Sequence, residues 1–284
     1  MRYYDWTMLS TLARCEQEFL VRYGPRALNE APSAAQRYGQ AVHEGVALHY
    51  AGVSADAVRV GMEIFWGADP SSGDPKRPAL HLTNAHALVA LWAREFPPVP
   101  AQVLCNERYL EHPTEPWCGI LDRLVRNEEG RLVLRDTKTS SQVYSEAWRG
   151  QWAYSGQLAL YWDLAEACFG EPVVEAWVEA LGTSTRKEGP RKEDVWRLGP
   201  FTYSAGMRAA LRERRWRLWE RAEELLDGRG APPTREPSAC LRYNSLCFLH
   251  RFCRLEPTEF TEALNLATAL GDVARRPWVP KERA

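Results

Sequence analysis

Between Cys118 and Lys138 the chain reads CGILDRLVRNEEGRLVLRDTK, and within it two carboxylates and one ammonium are spaced so that they can act together. Asp136 and Lys138 are two apart, and alternate residues of an extended chain share a face. Asp122 precedes Asn127-Glu128-Glu129-Gly130, whose turn chemistry reads as a hairpin connection that would bring Asp122 alongside them. Carboxylates are hard oxygen ligands suited to Mg²⁺ or Mn²⁺. A neighbouring lysine stabilises negative charge developing on a phosphate or an attacking hydroxide. In outline this set of groups suits phosphodiester cleavage.

Several elements must position these groups. The apolar-rich runs Gly119 to Val125 and Arg131 to Leu134 predict two adjacent strands. Pro97, Pro98 and Pro100 stop a preceding helix, after which Val103 to Leu110 alternates well enough for a strand that carries Glu107. Upstream, Ser10 to Arg22 predicts an opening helix containing Cys15. A second helix starts from Ser33 as N-cap and places Tyr38, Val42 and Val46 on one face, with His43 one step round from it. Ser54 to Trp66 and Thr83 to Phe96 read as further helices, separated by a Pro-, Gly- and Ser-rich loop from Asp69 to Pro78.

Downstream, Ser140 to Gly150 reads as a loop containing Tyr144 and Trp148, and Gln151 to Phe169 as an apolar helix on which Gln157 and Tyr161 share a face. Val173 to Gly182 is a fourth strand. Tyr203 to Leu226 predicts a long helix with Arg208, Arg212 and Arg215 on one face and Arg214, Arg217 and Arg221 near another, interleaved with Trp216 and Trp219. It suits single-stranded DNA, or a solvated helix whose Glu213, Glu220, Glu223 and Glu224 pair with those arginines.

With 284 residues, 45% of them hydrophobic and 26% charged, the chain can bury a sizeable core as one large domain. A formal net charge of −1 gives no global attraction to nucleic acid, so DNA binding would rest on local basic patches and metal ions. Neither a run of about 18 apolar residues nor a charged-then-apolar leader is present, so a cytoplasmic protein without membrane contact is expected. Seven cysteines, an odd number, do not suggest a disulfide framework in a reducing compartment. Cys240, Cys247 and Cys253 crowd into SACLRYNSLCFLHRFCR and invite a metal. Cys105, Cys118 and Cys168 lie in apolar contexts and read as buried thiols.

Gly119-x-x-Asp122, followed after the hairpin by Asp136-x-Lys138-Thr139, resembles the PD-(D/E)XK nuclease superfamily, particularly its branch of RecB-type nucleases and CRISPR-adaptation exonucleases. Tyr38 to Glu44 resembles that branch's helical G-x-x-x-H element, Glu107 its acidic strand residue, and Gln157 with Tyr161 its Q-x-x-x-Y helix. The match runs from about residue 7 to residue 255. It implies an α/β restriction-endonuclease-like core, a mixed sheet flanked by helices, as a single nuclease domain over 1–284. A helical wall would occupy 1–100, the catalytic core 101–182, and C-terminal helices with a cysteine-cluster loop 183–284.

The activity implied by the resemblance is that of a Mg²⁺- or Mn²⁺-dependent deoxyribonuclease, an exonuclease serving recombination, repair or mobile-element DNA processing. His43, Asp122 and Asp136 would hold metal, Lys138 would position water or stabilise the transition state, and Glu107, Gln157 and Tyr161 would support them. In that branch a cysteine near the N-terminus completes a [4Fe-4S] cluster, which points to Cys15 with Cys240, Cys247 and Cys253. Zinc fits the same ligand types, and His250 is a spare ligand. Implied partners are DNA, single-stranded or as duplex ends, and recombination or CRISPR-adaptation proteins. Two other readings stand beside this one: a DNA-end-binding or assembly subunit that cuts little, and a zinc-stapled RNA-processing nuclease.

Overall fold

A computed structural model describes residues 2–24, 33–66, 80–97, 102–183, 189–242, 245–247, 249, 253, 259 and 262–263. In chain order the helices are α1 (Trp6–Arg14), α2 (Glu16–Tyr23), α3 (Ala34–Tyr50), α4 (Ala55–Trp66), α5 (Leu82–Glu95), α6 (Glu146–Gly150), α7 (Gly156–Phe169) and α8 (Ala205–Leu226). The strands are β1 (Val103–Glu111), β2 (Cys118–Arg126), β3 (Leu132–Ser140), β4 (Val173–Gly182), β5 (Val195–Phe201), β6 (Leu241–Arg242) and β7 (Ser245–Leu246). These elements fall into two compact units, Pro32–Arg208 and Met1–Ala31 with Ala209–Ala284.

The unit Pro32–Arg208 is built on a sheet of order β1-β2-β3-β4-β5. The β1–β2, β2–β3 and β4–β5 pairs are antiparallel and β3–β4 is parallel. A parallel neighbour requires a crossover, and α7 supplies it. The α/β class and mixed sheet expected from the sequence are therefore observed. The β2–β3 hairpin turns where the sequence places it. Gly130 takes φ +75°, its N–H reaches the Asn127 carbonyl at 2.9 Å, and Asn127 Oδ1 accepts from Arg131 N at 2.9 Å. Only glycine adopts that φ at no steric cost.

Ser33 starts α3 with a full capping box, in which its hydroxyl accepts from Gln36 N while Gln36 Oε1 accepts from Ser33 N. Helices α3, α4 and α5 bury Val42, Met62, Leu88 and Trp92 against one another and against Leu181 and Val195 of the sheet. Each such side chain contributes roughly 1.5–3 kcal/mol by leaving water. From the same side Tyr50 enters a buried polar network. Glu179 accepts from Tyr50 Oη at 2.9 Å, from Arg123 at 3.1 Å and from Arg197 at 3.1 Å, and Arg135 donates to Tyr50 Oη at 2.7 Å. Arg123 and Glu179 are completely buried, and Arg123 also donates to the Thr137 hydroxyl. The network thus ties four of the five strands to α3.

The other unit contains α1, α2, the residues of α8 from Ala209 onward, and the short antiparallel pair β6–β7. Arg221 clasps Glu16 through Nε at 2.8 Å and Nη2 at 2.9 Å, and Glu16 also accepts from Thr234 N at 2.7 Å. Buried Glu18 is held between Arg14 and Arg22 at 2.9 and 2.8 Å.

The structure corrects several expectations. The opening helix is broken at Cys15, whose extended backbone (φ −160°, ψ 113°) ends α1 and begins α2. The helix expected from Gln151 starts only at Gly156, because Ser155 caps it by accepting from Leu158 N and residues Gln151–Tyr154 form a 3-10 turn. Helix α6 lies within the expected loop from Ser140. Strand β5 was not anticipated. Cys105 and Cys118 are buried as expected, but Cys168 is exposed near the end of α7, where its thiol donates to the Glu111 carbonyl at 3.3 Å. The loop from Asp69 to Pro78 and His250 lie outside the described residues.

Candidate active site

Register brings the acidic residues together. Asn106 pairs with Arg123 and Arg108 with Leu121, which sets Glu107 opposite Asp122. Arg123 in turn pairs with Arg135, so that continuing the antiparallel register by one residue sets Asp122 beside Asp136. Glu107 takes φ +46°, a region costly for a non-glycine residue and typical of functional positions. Helix α3 delivers His43, whose Nδ1 is 3.3 Å from Asp122 Oδ2 and 3.6 Å from Glu107 Oε1. Ligand atoms of His43, Glu107 and Asp122 all lie within 4.8 Å of one another.

Asp122 is buried and accepts from the Thr137 backbone N–H at 2.6 Å. Burial alone would raise its pKa, but His43, Lys138 and Arg123 hold it below the usual carboxylate value. For His43, burial opposes protonation, yet Asp122 and Glu107 outweigh it and the imidazole is shifted upward. Asp136 behaves differently. It is fully buried, and burial, only partly opposed by Lys138 and reinforced by Asp122, pushes it up to about 6. Lys138 Nζ stands 2.6 Å from Asp136 Oδ2 as an ion pair, while among the described residues Asp136 Oδ1 and Glu107 Oε1 are buried without a hydrogen-bond donor. Burial opposes the Lys138 charge, but Asp136 and Asp122 raise its pKa overall, so the ammonium persists at neutral pH.

Among the described residues Asp136 and Glu107 therefore keep buried acceptor oxygens without a hydrogen-bond donor, beside the Asp122 carboxylate, a costly arrangement unless a cation shares them. Oxygen-rich with one imidazole, the donor set fits a divalent ion such as Mg²⁺ or Mn²⁺. Asp136 was expected in the ligand set and lies beside the compact trio rather than in it, drawn to Lys138. Glu107 was expected only as support and is one of the three. Gln157 and Tyr161 are hydrogen-bonded to each other at 3.0 Å on α7. A Cβ on Gly119 would sit 2.7 Å from the Tyr161 ring, so glycine lets α7 close on the strand that carries Asp122. The sequence reading missed Trp152 and Tyr203. The Trp152 ring centroid is 5.8 Å from Lys138 Nζ, and Tyr203, whose pKa is raised by burial and then by Asp136, donates to the Trp152 carbonyl at 3.0 Å.

In the other unit Cys15, Cys240, Cys247 and Cys253 are all half-buried free thiols. Cys247 N donates to the Cys240 carbonyl at 2.7 Å. Burial, followed by the charges of Cys15, Cys240 and Cys247, pushes Cys253 up to about 11, so the four thiols share one neighbourhood. Charge pairs account for much of α8, with Arg217 on Glu213 at 3.1 Å, Arg221 on Glu224 at 3.1 Å, and Glu223 taken by Arg2 at 3.3 Å. Among the described residues no helix is long and apolar enough to cross a membrane.

A family model described as the PD-(D/E)XK nuclease superfamily matches residues 6–254. A search of curated proteins finds no match.

Proposed function

Since the chain belongs to the PD-(D/E)XK nuclease superfamily, a family of divalent-metal nucleases, we propose that it is an exonuclease of the RecB-type branch that hydrolyses DNA from its ends. The observation that carries the metal-dependent reading is the trio of ligand atoms from His43, Glu107 and Asp122, all within 4.8 Å of one another beside the buried Asp136 carboxylate. His43, Glu107, Asp122 and Asp136 would hold the ion. When bound, a divalent cation supplies positive charge that acidifies water and neutralises the scissile phosphate.

The chain's own residues do the rest. Asp122, anchored by Thr137 N–H, fixes the position of His43. Lys138 keeps its proton next to Asp136, so it acts as a fixed positive charge on the attacking water or the phosphate rather than as a base. The Gln157–Tyr161 pair holds α7 against β2 and so supports the strand that carries Asp122.

Cys15, Cys240, Cys247 and Cys253 would hold a [4Fe-4S] cluster with a structural duty. Support comes from four free thiols drawn from both ends of the sequence, of which Cys247 and Cys253 are raised in pKa by burial first and further by the neighbouring thiols. Zinc is the alternative occupant by ligand type. The exonuclease reading is tested by incubating the protein with Mn²⁺ and equal masses of linear and covalently closed circular DNA. Linear DNA should be degraded and circles spared. Rapid cutting of circles would make the protein an endonuclease, and selective digestion of RNA would make it an RNA-processing enzyme.

A further inference from the structure

Between β3 and α7 lies an aromatic segment that the hydrolytic site does not account for: Tyr144, Trp148, Trp152 and Tyr154. Trp148 and Trp152 meet edge to face with centroids 5.3 Å apart, and the Trp152 ring is 5.8 Å from Lys138 Nζ. Tyr154 is 75% exposed and Tyr144 42%. Tyr144 donates its hydroxyl to Asp194, whereas Tyr154, so exposed, stabilises the fold little by burial, and its presence here needs another reason.

Polar groups of the same segment lack partners. Trp152 Nε1 is buried without a hydrogen-bond partner among the described residues, in the ring beside Lys138. Arg149 lies 4.7 Å over the Trp196 ring and has no carboxylate partner among the described residues. The segment is also anchored at both ends. It begins after β3, which carries Lys138, ends at Ser155, the N-cap of α7, and is tied midway by the Tyr203 bond to the Trp152 carbonyl.

Aromatic faces and a guanidinium with no carboxylate partner among the described residues together match a polyanion whose bases are free to stack. In duplex DNA those base faces are already covered by neighbouring bases, whereas a single strand offers them. Resting on the nuclease reading above, we propose that Trp148, Trp152 and Tyr154, with Arg149, form a stacking platform that takes the unpaired bases of a single-stranded DNA end and leads its backbone to Lys138.

The test uses the full chain in chelator, so that nothing is hydrolysed, and a fluorescein-labelled oligodeoxynucleotide of about 12 bases, within the usual site size of such grooves. Anisotropy should give tighter binding of the single strand than of the blunt duplex. Tyr154→Ala should weaken the single strand about 5- to 150-fold, the range for one lost base stack. Tyr154→Trp should restore it. Because Tyr154 is exposed, neither change threatens the fold. Arg149→Ala should reduce the salt dependence by about the slope of one phosphate contact, roughly 0.7 on a single strand. The platform is overturned if Tyr154→Ala and Arg149→Ala both bind as the parent does, or if duplex binds as tightly as single strand. A parent protein that degrades linear DNA with Mn²⁺ in either case leaves the nuclease reading standing; one that neither binds nor cuts DNA removes both.

Discussion

Replacing Asp136 by asparagine should stabilise the metal-free protein while abolishing cleavage. The carboxyl is fully buried and pushed from 3.8 to about 6. That gap of about two pH units corresponds to a cost on the order of 3 kcal/mol in the ionised form. The sign follows from linkage. The folded state prefers the protonated carboxyl, so the unfolded chain ionises first. The cost is absent below about pH 4, grows as pH rises, and is complete above about pH 6. Asparagine keeps the shape and removes the charge. It also takes away the nearest counter-charge of Lys138, which is 21% exposed and retains Asp122 nearby, so the net gain should be roughly 1–2 kcal/mol. For a chain of this size that is a rise in Tm of about 2–8 °C, measured in chelator at about pH 8 and absent at about pH 4. Mn²⁺ should raise the Tm of the parent protein and not that of Asp136→Asn, because only the parent keeps the full ligand set. Cleavage should fall by roughly 10²–10³-fold or more. If the variant melts no higher than the parent in chelator at about pH 8, or if the difference is the same at both pH values, the assignment of Asp136 as a destabilised carboxylate awaiting a cation is wrong.

Lys138→Met should lower cleavage by about 10²–10³-fold while DNA binding in chelator changes little; near-parental turnover would remove Lys138 from the mechanism. Glu179→Ala leaves the completely buried Arg123 without its carboxylate and should cost roughly 3–5 kcal/mol in urea unfolding. A loss under about 1 kcal/mol would mean that Arg123 draws its compensation from elsewhere. Anaerobically purified protein should be brown, and Cys15→Ser should lose iron and thermal stability together. Unchanged metal content in that variant would exclude Cys15 as a ligand, and a colourless protein carrying stoichiometric zinc would replace the cluster.

What the sequence made legible was what local chemistry determines. Asn127 to Gly130 encodes its own turn, and Ser33 with Gln36 encodes the start of α3, so the hairpin and His43's helix could be read directly. Asp122, Asp136 and Lys138 were identifiable because alternation along strands fixes which residues meet. Long-range packing hid the rest. Cys15 sits inside a run with ordinary helical spacing, and only the tertiary structure breaks that run. Strand β5 carries Gly199 and Pro200 and lies at the sheet edge, where strand propensity is a weak guide. Arg123, Glu179 and Arg197 look solvated in one dimension, yet three strands bring them into one buried network. Glu107 could be named from the family resemblance, but its backbone conformation, φ +46°, is announced by no residue pattern.

The parallel pairing of β3 with β4 also bears on biosynthesis. Every residue of the candidate site from His43 to Lys138 is synthesised before Val173, and so before Glu179 can neutralise Arg123 or β4 can pair with the strand that carries Asp136. At about 5–20 residues per second the growing chain spends several seconds with its ligands synthesised but their supporting strand missing. A contact that must await its crossover helix forms late. The candidate site should therefore reach its final packing only once translation has passed β4.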